Sequence, residues 1–324
     1  MLTRNTRTLL LGAVLLLAAL FTAVLLSVRR NQVTPPHPDS SSETASPQAS
    51  LPESPQTTEE PRFTEPSATE PPASLPPEGY STVIQPGTRI LHACGSVNGI
   101  TGTNSREALE QSYAAGGRFF EIDFCHASDG VLCAIHDWSS RFCDEIKDGA
   151  APTSEEFLSM RIHGSFTPMT LSDVLSFMEA HPDARFITDV KDRNVDAARQ
   201  IAESAPALRD RWIIQIYQYD ELAKIRALGF SSVILTIYRL EPYTDKFKPE
   251  TLAAFAAVNG LSGLTFPVSL ATEQYISAIR QFGIPVLTHT VNGSKTQDIF
   301  FSMGIDGIYT DYAPSDPSAP EETQ

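Results

Sequence analysis

A short run of acids and histidines holds the residues best suited to chemistry: Glu121-Ile122-Asp123, then Ser128-Asp129-Gly130, then His136-Asp137-Trp138, with His92 upstream. Two carboxylates at i and i+2 of a strand point to one face, a spacing that suits one divalent cation. Phe119, Phe120, Ile122 and Phe124 surround them, so the strand is expected to be buried, and buried carboxylates need partners or a metal. Asp129-Gly130 is a strong hairpin signal. With these two as the central turn residues, Asp123 faces His136 across the hairpin, their Cβ atoms roughly 5 Å apart. A metal-binding acid pair beside an imidazole suits phosphodiester cleavage.

Those residues need a scaffold. From Arg89 the chain alternates short apolar runs with amphipathic stretches. Strands are predicted at Arg89–Ala93, Arg118–Phe124, Val131–His136, Arg185–Val190, Arg211–Tyr217, Ser232–Ile237, Leu261–Phe266, Ile284–Thr290 and Gly307–Thr310. Helical patterns lie between most of them, at Ser105–Ala115, Leu171–Ala180, Val195–Ser204, Asp220–Leu228, Pro249–Ala257, Thr272–Phe282 and Thr296–Ser302. Such alternation indicates a parallel barrel or an open doubly wound sheet. The polar residues favour the barrel. His92, Glu121, Asp123, Asp189, Lys191, Gln215, Tyr217, Thr236, Tyr238, His289 and Asn292 all fall near strand C-termini, the active-site face of a (β/α)8 barrel. An open sheet would gather such residues at one switch point. Val131–His136 is surplus to eight strands and reads as a β-hairpin arm at the mouth, so the expected α/β fold is a distorted TIM-type barrel. No Gly-x-Gly-x-x-Gly or Walker-type loop occurs to support a nucleotide fold.

The chain has 324 residues, and they do not read as one globule. Thr8 to Val28 carries no charge and is long enough to span a bilayer as one helix. It is followed by Arg29-Arg30 with no small-x-small cleavage site before them, so residues 1–30 are expected to form a cytoplasmic tip and signal anchor. Residues 31–79 hold half of the 24 prolines, many Ser, Thr and Glu, and a net charge of −7. They lack the apolar periodicity needed to fold and read as a disordered linker, roughly 40 Å long as a coil and up to about 150 Å as polyproline II. Residues 80–314 are enough for one sizeable domain, with an acidic disordered tail expected at 315–324. The overall charge of −15 leaves −12 on everything after the linker, which argues against a nucleic-acid partner. The expected setting is a single-pass protein of the cell membrane with its domain outside the cytoplasm, acting as a monomer. The four cysteines, Cys94, Cys125, Cys133 and Cys143, include no Cys-x-x-Cys, which argues against structural zinc and leaves disulfides or free thiols open.

Taken in order, these residues resemble the glycerophosphodiester phosphodiesterases, within the wider group of phospholipase-C-like phosphodiesterases. The resemblance rests on His92, Thr103-Asn104-Ser105 before a helix, Glu121-Ile122-Asp123, Asp129-Gly130 leading to His136-Asp137, and Asp189-Val190-Lys191. Thr290-Val291-Asn292 and the closing run from Gly304 to Asp311 complete it. It implies a distorted barrel with one divalent metal on Glu121, Asp123 and Asp189. Its catalytic histidines map to His92 and His136, and its phosphate-contacting lysine to Lys191. Asn104, Gln215, Tyr217, His289 and Asn292 are expected to contact substrate. The chain departs from the family pattern at Ala93-Cys94-Gly95, where Arg-Gly usually follows the opening histidine, and at Thr103, Asp189 and His289, where Glu, Glu and Trp are usual.

The inferred reaction begins with a substrate hydroxyl next to the phosphodiester. It loses its proton to one histidine and attacks phosphorus, while the other histidine protonates the departing alcohol. A cyclic phosphate results, to be hydrolysed with the roles reversed. An all-oxygen carboxylate site favours Mg²⁺ or Ca²⁺ over zinc. The expected products are glycerol phosphate and an alcohol. Alternatives are phospholipase C/D-like cleavage of a lysophospholipid or phosphoinositide head group, a glycosidase-like barrel, and a stalked binding protein without turnover.

Overall fold

The computed structural model describes residues 83–147, 149–190, 192–240 and 248–319. Nine strands are described: β1 (Thr88–Leu91), β2 (Phe119–His126), β3 (Leu132–Ala134), β4 (Arg185–Val190), β5 (Trp212–Ile216), β6 (Val233–Thr236), β7 (Gly263–Pro267), β8 (Val286–His289) and β9 (Gly307–Thr310). Eight of them pair in parallel in the order β1-β9-β8-β7-β6-β5-β4-β2, and β1 pairs with β2 to close a barrel. β3 pairs only with β2, and antiparallel. It is the expected hairpin arm. Among the described residues no helix is long and apolar enough to cross a membrane. The expected span at 8–28 and the linker at 31–79 lie outside those residues.

The described α-helices are α1 (Arg106–Ala114), α2 (Ser154–Ser159), α3 (Leu171–Ala180), α4 (Asn194–Ser204), α5 (Glu221–Ala227), α6 (Pro249–Val258), α7 (Glu273–Arg280) and α8 (Ser294–Ser302). Their starts follow local chemistry. Ser105 accepts a hydrogen bond from the Ala108 N–H, and Thr153 and Thr170 form reciprocal capping boxes with Glu156 and Asp173. α2 is the helix that apolar periodicity misses, because only Phe157 of its six residues is buried.

The barrel strands obey a period of two. Outward-facing Phe120, Phe124, Phe186 and Trp212 pack together beneath the helices, with Phe120 and Phe186 stacked at 5.4 Å between ring centres. Ile90, Ile187, Ile213, Ile234, Leu287 and Tyr309 form a separate interior cluster with Ile84. Two residues further along their strands, the same inward face carries His92, Asp189, Gln215, Thr236 and His289. β1, β4, β5, β6 and β8 thus each fill the barrel with an aliphatic side chain and then offer a polar one two residues on.

Two expectations need correcting. The hairpin register is shifted by one residue: Cys125 lies opposite Cys133 and Phe124 opposite Ala134, so Asp123 meets Ile135 instead of His136. The loop holds three residues, Ser128-Asp129-Gly130, closed by the Gly130 N–H donating to the Ala127 carbonyl and the Ala127 N–H to the Val131 carbonyl, and Ser154 of α2 donates from its N–H and Oγ to Asp129 Oδ2. Gly130 takes the left-handed conformation that such a loop needs. β3 then leaves β2 after Ala134, which frees His136 from the alternation. The C-terminal tail also begins later than expected. Ser315 N–H donates to the Ala115 carbonyl, and buried Asp316 accepts from Ser96 and Ser318.

The turn after β1 is tight. Ala93, Cys94 and Gly95 all have positive φ, and Gly95 sits at φ 91°, ψ −163°, a region open only to glycine. A Cβ there would lie 2.1 Å from Ser112 Oγ and 3.0 Å from Ser112 Cβ, so α1 crosses directly over it. Gly95→Ala should therefore lower stability by about 1–3 kcal/mol, measurable by urea denaturation, because backbone strain and steric conflict act together.

Candidate active site

The C-terminal ends of β2 and β4 supply three acids. Glu121, Asp123 and Asp189 each offer a carboxylate oxygen, and these oxygens lie within 4.8 Å of one another. Register explains the meeting, since β2 and β4 pair with Asp123 opposite Asp189. Each acid is held separately. The Ala93 N–H donates to Glu121 Oε2 at 2.7 Å, which is what the left-handed turn after β1 achieves. Asn104, buried in a left-handed conformation, donates from Nδ2 to Asp123 Oδ2 at 2.8 Å and accepts from the Asp123 N–H at 3.0 Å. Tyr217 and Tyr238 hydroxyls donate to Asp189 at 2.5 and 2.9 Å.

Glu121 Oε1 is buried and has no hydrogen-bond partner among the described residues. Burial first, and then the field of Asp123, push the Glu121 pKa up. A buried carboxylate with an idle oxygen, crowded by two further acids, fits a divalent cation bound through oxygen. The residues present therefore suit the metal that the sequence implies.

His92 and His136 line the same pocket as Glu121, Asp189, Gln215, Tyr238, His289 and Tyr309, a cavity of about 270 Å³. Both imidazoles are oriented through Nδ1, His92 by Asp311 at 2.8 Å and His136 by Asp137 at 2.8 Å. That leaves Nε2 of each for a substrate proton. His136 also stacks on Phe142 at 5.3 Å. Burial alone would lower the His92 pKa, but the Asp311 hydrogen bond and the fields of Glu121 and Asp123 outweigh it and raise the value to about 9. Asp311 is itself kept below the usual range: burial opposes its charge, but hydrogen bonds from His92 and Asn292 more than offset this.

The expected substrate contacts fall into two groups. Gln215 and His289 line the pocket, His289 with its ring edge-on to Tyr238 and Tyr309. Asn104, Tyr217 and Asn292 stand behind it: Asn104 holds Asp123, Tyr217 holds Asp189, and Asn292 grips Asp311 through its Nδ2 and Oδ1. Lys191 lies outside the described residues. Asp311 was not singled out from sequence. Its signal was present, because it follows inward-facing Tyr309 by two residues, just past the end of β9.

Residues 94–314 match the glycerophosphoryl diester phosphodiesterase family. The chain belongs to that family. As a member it is a phosphoric diester hydrolase, and its acid triad and His136 lie inside the matched region. Solved structures share the fold. A phosphodiesterase from Oleispira antarctica, in complex with the product sn-glycerol-3-phosphate, is 20% identical, covers 72% of this chain and 96% of its own, and has a TM-score of 0.57. A putative glycerophosphodiester phosphodiesterase from Galdieria sulphuraria is 14% identical over 72% and 96%, with a TM-score of 0.59. A glycerophosphodiester phosphodiesterase from Parabacteroides distasonis is 21% identical over 70% and 94%, with a TM-score of 0.56.

The pH behaviour of His92 follows from its neighbours. In metal-free protein, the His92 contribution to the His92–Asp311 pair should be complete below about pH 6.5, while Asp311 stays ionised, and fade as pH rises through about 9, because the folded state holds the proton longer. NMR titration of the imidazole should show Asp311→Asn moving its pKa down, and an added divalent cation doing the same by offsetting Glu121 and Asp123.

Proposed function

We propose that this phosphodiesterase family member hydrolyses glycerophosphodiesters to glycerol phosphate and an alcohol, with His92 and His136 as its acid–base pair. The observation that carries this reading is the convergence on one pocket of two carboxylate-oriented imidazoles with Glu121 and Asp189, two members of an acid cluster that Asp123 completes. Glu121, Asp123 and Asp189 would hold one cation, Mg²⁺ or Ca²⁺, since their donors are hard oxygens. When bound, it supplies positive charge that offsets the developing negative charge of the phosphoryl group.

The chain's own groups do the rest. One histidine takes the proton of a glycerol hydroxyl next to the diester as that oxygen attacks phosphorus. The other donates a proton to the departing alcohol, giving a cyclic phosphate that water opens with the roles exchanged. Asp311 and Asp137 keep each ring in the tautomer and orientation this needs. Asn104, Tyr217 and Tyr238 fix the acids, so their loss should weaken cation affinity before it alters chemistry. Placement on an N-terminal anchor outside the cytoplasm belongs to the same reading, supported by the uncharged run at 8–28 and the Pro-rich linker.

Release of alcohol from glycerophosphocholine should stop in excess EDTA and return with Mg²⁺ or Ca²⁺. Glu121→Ala and Asp123→Ala should be inactive yet folded. Retained activity in EDTA would overturn the metal role. His92→Ala and His136→Ala should each lose about 10²–10⁴-fold in kcat, against a bell-shaped pH profile for the parent enzyme. A His289→Ala enzyme as inactive as either would show that the pair is misassigned. Mild protease on intact cells should release an active soluble domain, and protection until lysis would show the opposite topology.

A further inference from the structure

The loop between β1 and α1 serves the acid cluster twice. Its Ala93 N–H reaches Glu121 Oε2, and its Asn104 side chain holds Asp123. These two residues are also joined to each other, the Asn104 N–H donating to the Ala93 carbonyl at 3.2 Å. A shift of the loop would therefore disturb both acids at once. Yet its backbone is unfavourable on its own terms. Ala93, Cys94, Asn98 and Asn104 have φ of 48°, 68°, 52° and 48°, and non-glycine residues keep such conformations only where their surroundings fix them.

Part of that fixing comes from the far end of the domain. Ser96, fully buried in the loop, donates from Oγ to Asp316 Oδ2. Ser318 Oγ lies 3.4 Å from Ser96 Oγ, and Ser318 Cβ would sit 3.7 Å from a Cβ added at Gly99. The C-terminal segment thus runs directly against the loop.

Asp316 is itself held. Its N–H donates to the Ala313 carbonyl at 3.0 Å, and its Oδ1 accepts from the Ser318 N–H at 2.8 Å and Oγ at 2.5 Å. The neighbouring Ser315 N–H donates to the Ala115 carbonyl, just past the end of α1, at 3.2 Å. Upstream in the same segment, Asp311 orients His92. Residues 311–318 therefore grip the loop at His92 and at Ser96, one contact on each side of Ala93. Asp316 lies beyond the region matched to the family, which ends at 314.

We infer that Asp316 is a positioning residue for the cation site: through Ser96 it holds the β1–α1 loop so that Ala93 and Asn104 present Glu121 and Asp123 together. The inference rests on the proposed cation at Glu121, Asp123 and Asp189 and adds the residue that keeps two of these acids in register. Asp316 touches neither the acids nor the pocket, so its effect is on how tightly the cation is held.

Calorimetric titration of the full-length chain with Mg²⁺ and with Ca²⁺ tests this without relying on turnover. Asp316→Ala and Ser96→Ala should each weaken the affinity for the tighter cation by about tenfold, the low end for groups that orient ligands. The double variant should lose no more than the worse single one, because both substitutions remove one contact. Asp316→Asn keeps an accepting oxygen and should retain most of the affinity. Hydrogen exchange at the Ala93 amide, read by NMR, should be faster in both Ala variants than in the parent. Ser96→Ala is the milder change and carries the test alone if Asp316→Ala does not fold. Folded Ala variants that lose stability but bind cation as the parent does would overturn the positioning role, as would losses that add in the double variant. Absence of cation binding by the parent itself would overturn the cation reading and the positioning role together.

Discussion

Mutual repulsion among Glu121, Asp123 and Asp189 is the constraint to which the rest of this end of the barrel answers. Three carboxylates converging within 4.8 Å inside a protein are unfavourable unless each is fixed and the group is offset. The fold meets that demand with a backbone N–H from a left-handed turn, a buried amide from a left-handed asparagine, and two tyrosine hydroxyls. His92, drawn toward its charged form by the same acids, adds a positive group where repulsion is greatest. The surrounding residues keep the acids in place; a cation then completes the balance.

Much of this was legible in the residues because the barrel writes its plan in steps of two. Ile187 and Asp189, Ile213 and Gln215, and Leu287 and His289 each pair an interior aliphatic with a mouth residue on one strand face. Period-two reading therefore locates both the core and the site. The acid pair on β2 was readable for the same reason, and only the assignment of Asp189 as a third metal acid came from the family resemblance.

What escaped depends on contacts between distant segments. Asp129 in the hairpin loop accepts from Ser154, 25 residues away, and no local pattern on β2 or β3 records that bond. Asn104 looked like a residue for substrate, yet it spends both polar atoms on Asp123, because only folding shows that a loop residue lies under β2. Asn292 likewise bonds Asp311, a partner that its sequence neighbourhood does not reveal.

The His92–Asp311 contact joins the first barrel strand to the segment after the last, across a separation of 219 residues. A nascent chain acquires His92 and all three acids long before residue 311 has been made. Until β9 slots between β8 and β1, that imidazole has no carboxylate to orient it, and the ring of strands stands open. Competence is thus withheld until synthesis is nearly complete. A premature stop between Asp189 and the ninth strand would leave all three acids in sequence but neither a closed ring nor the Asp311 that orients His92.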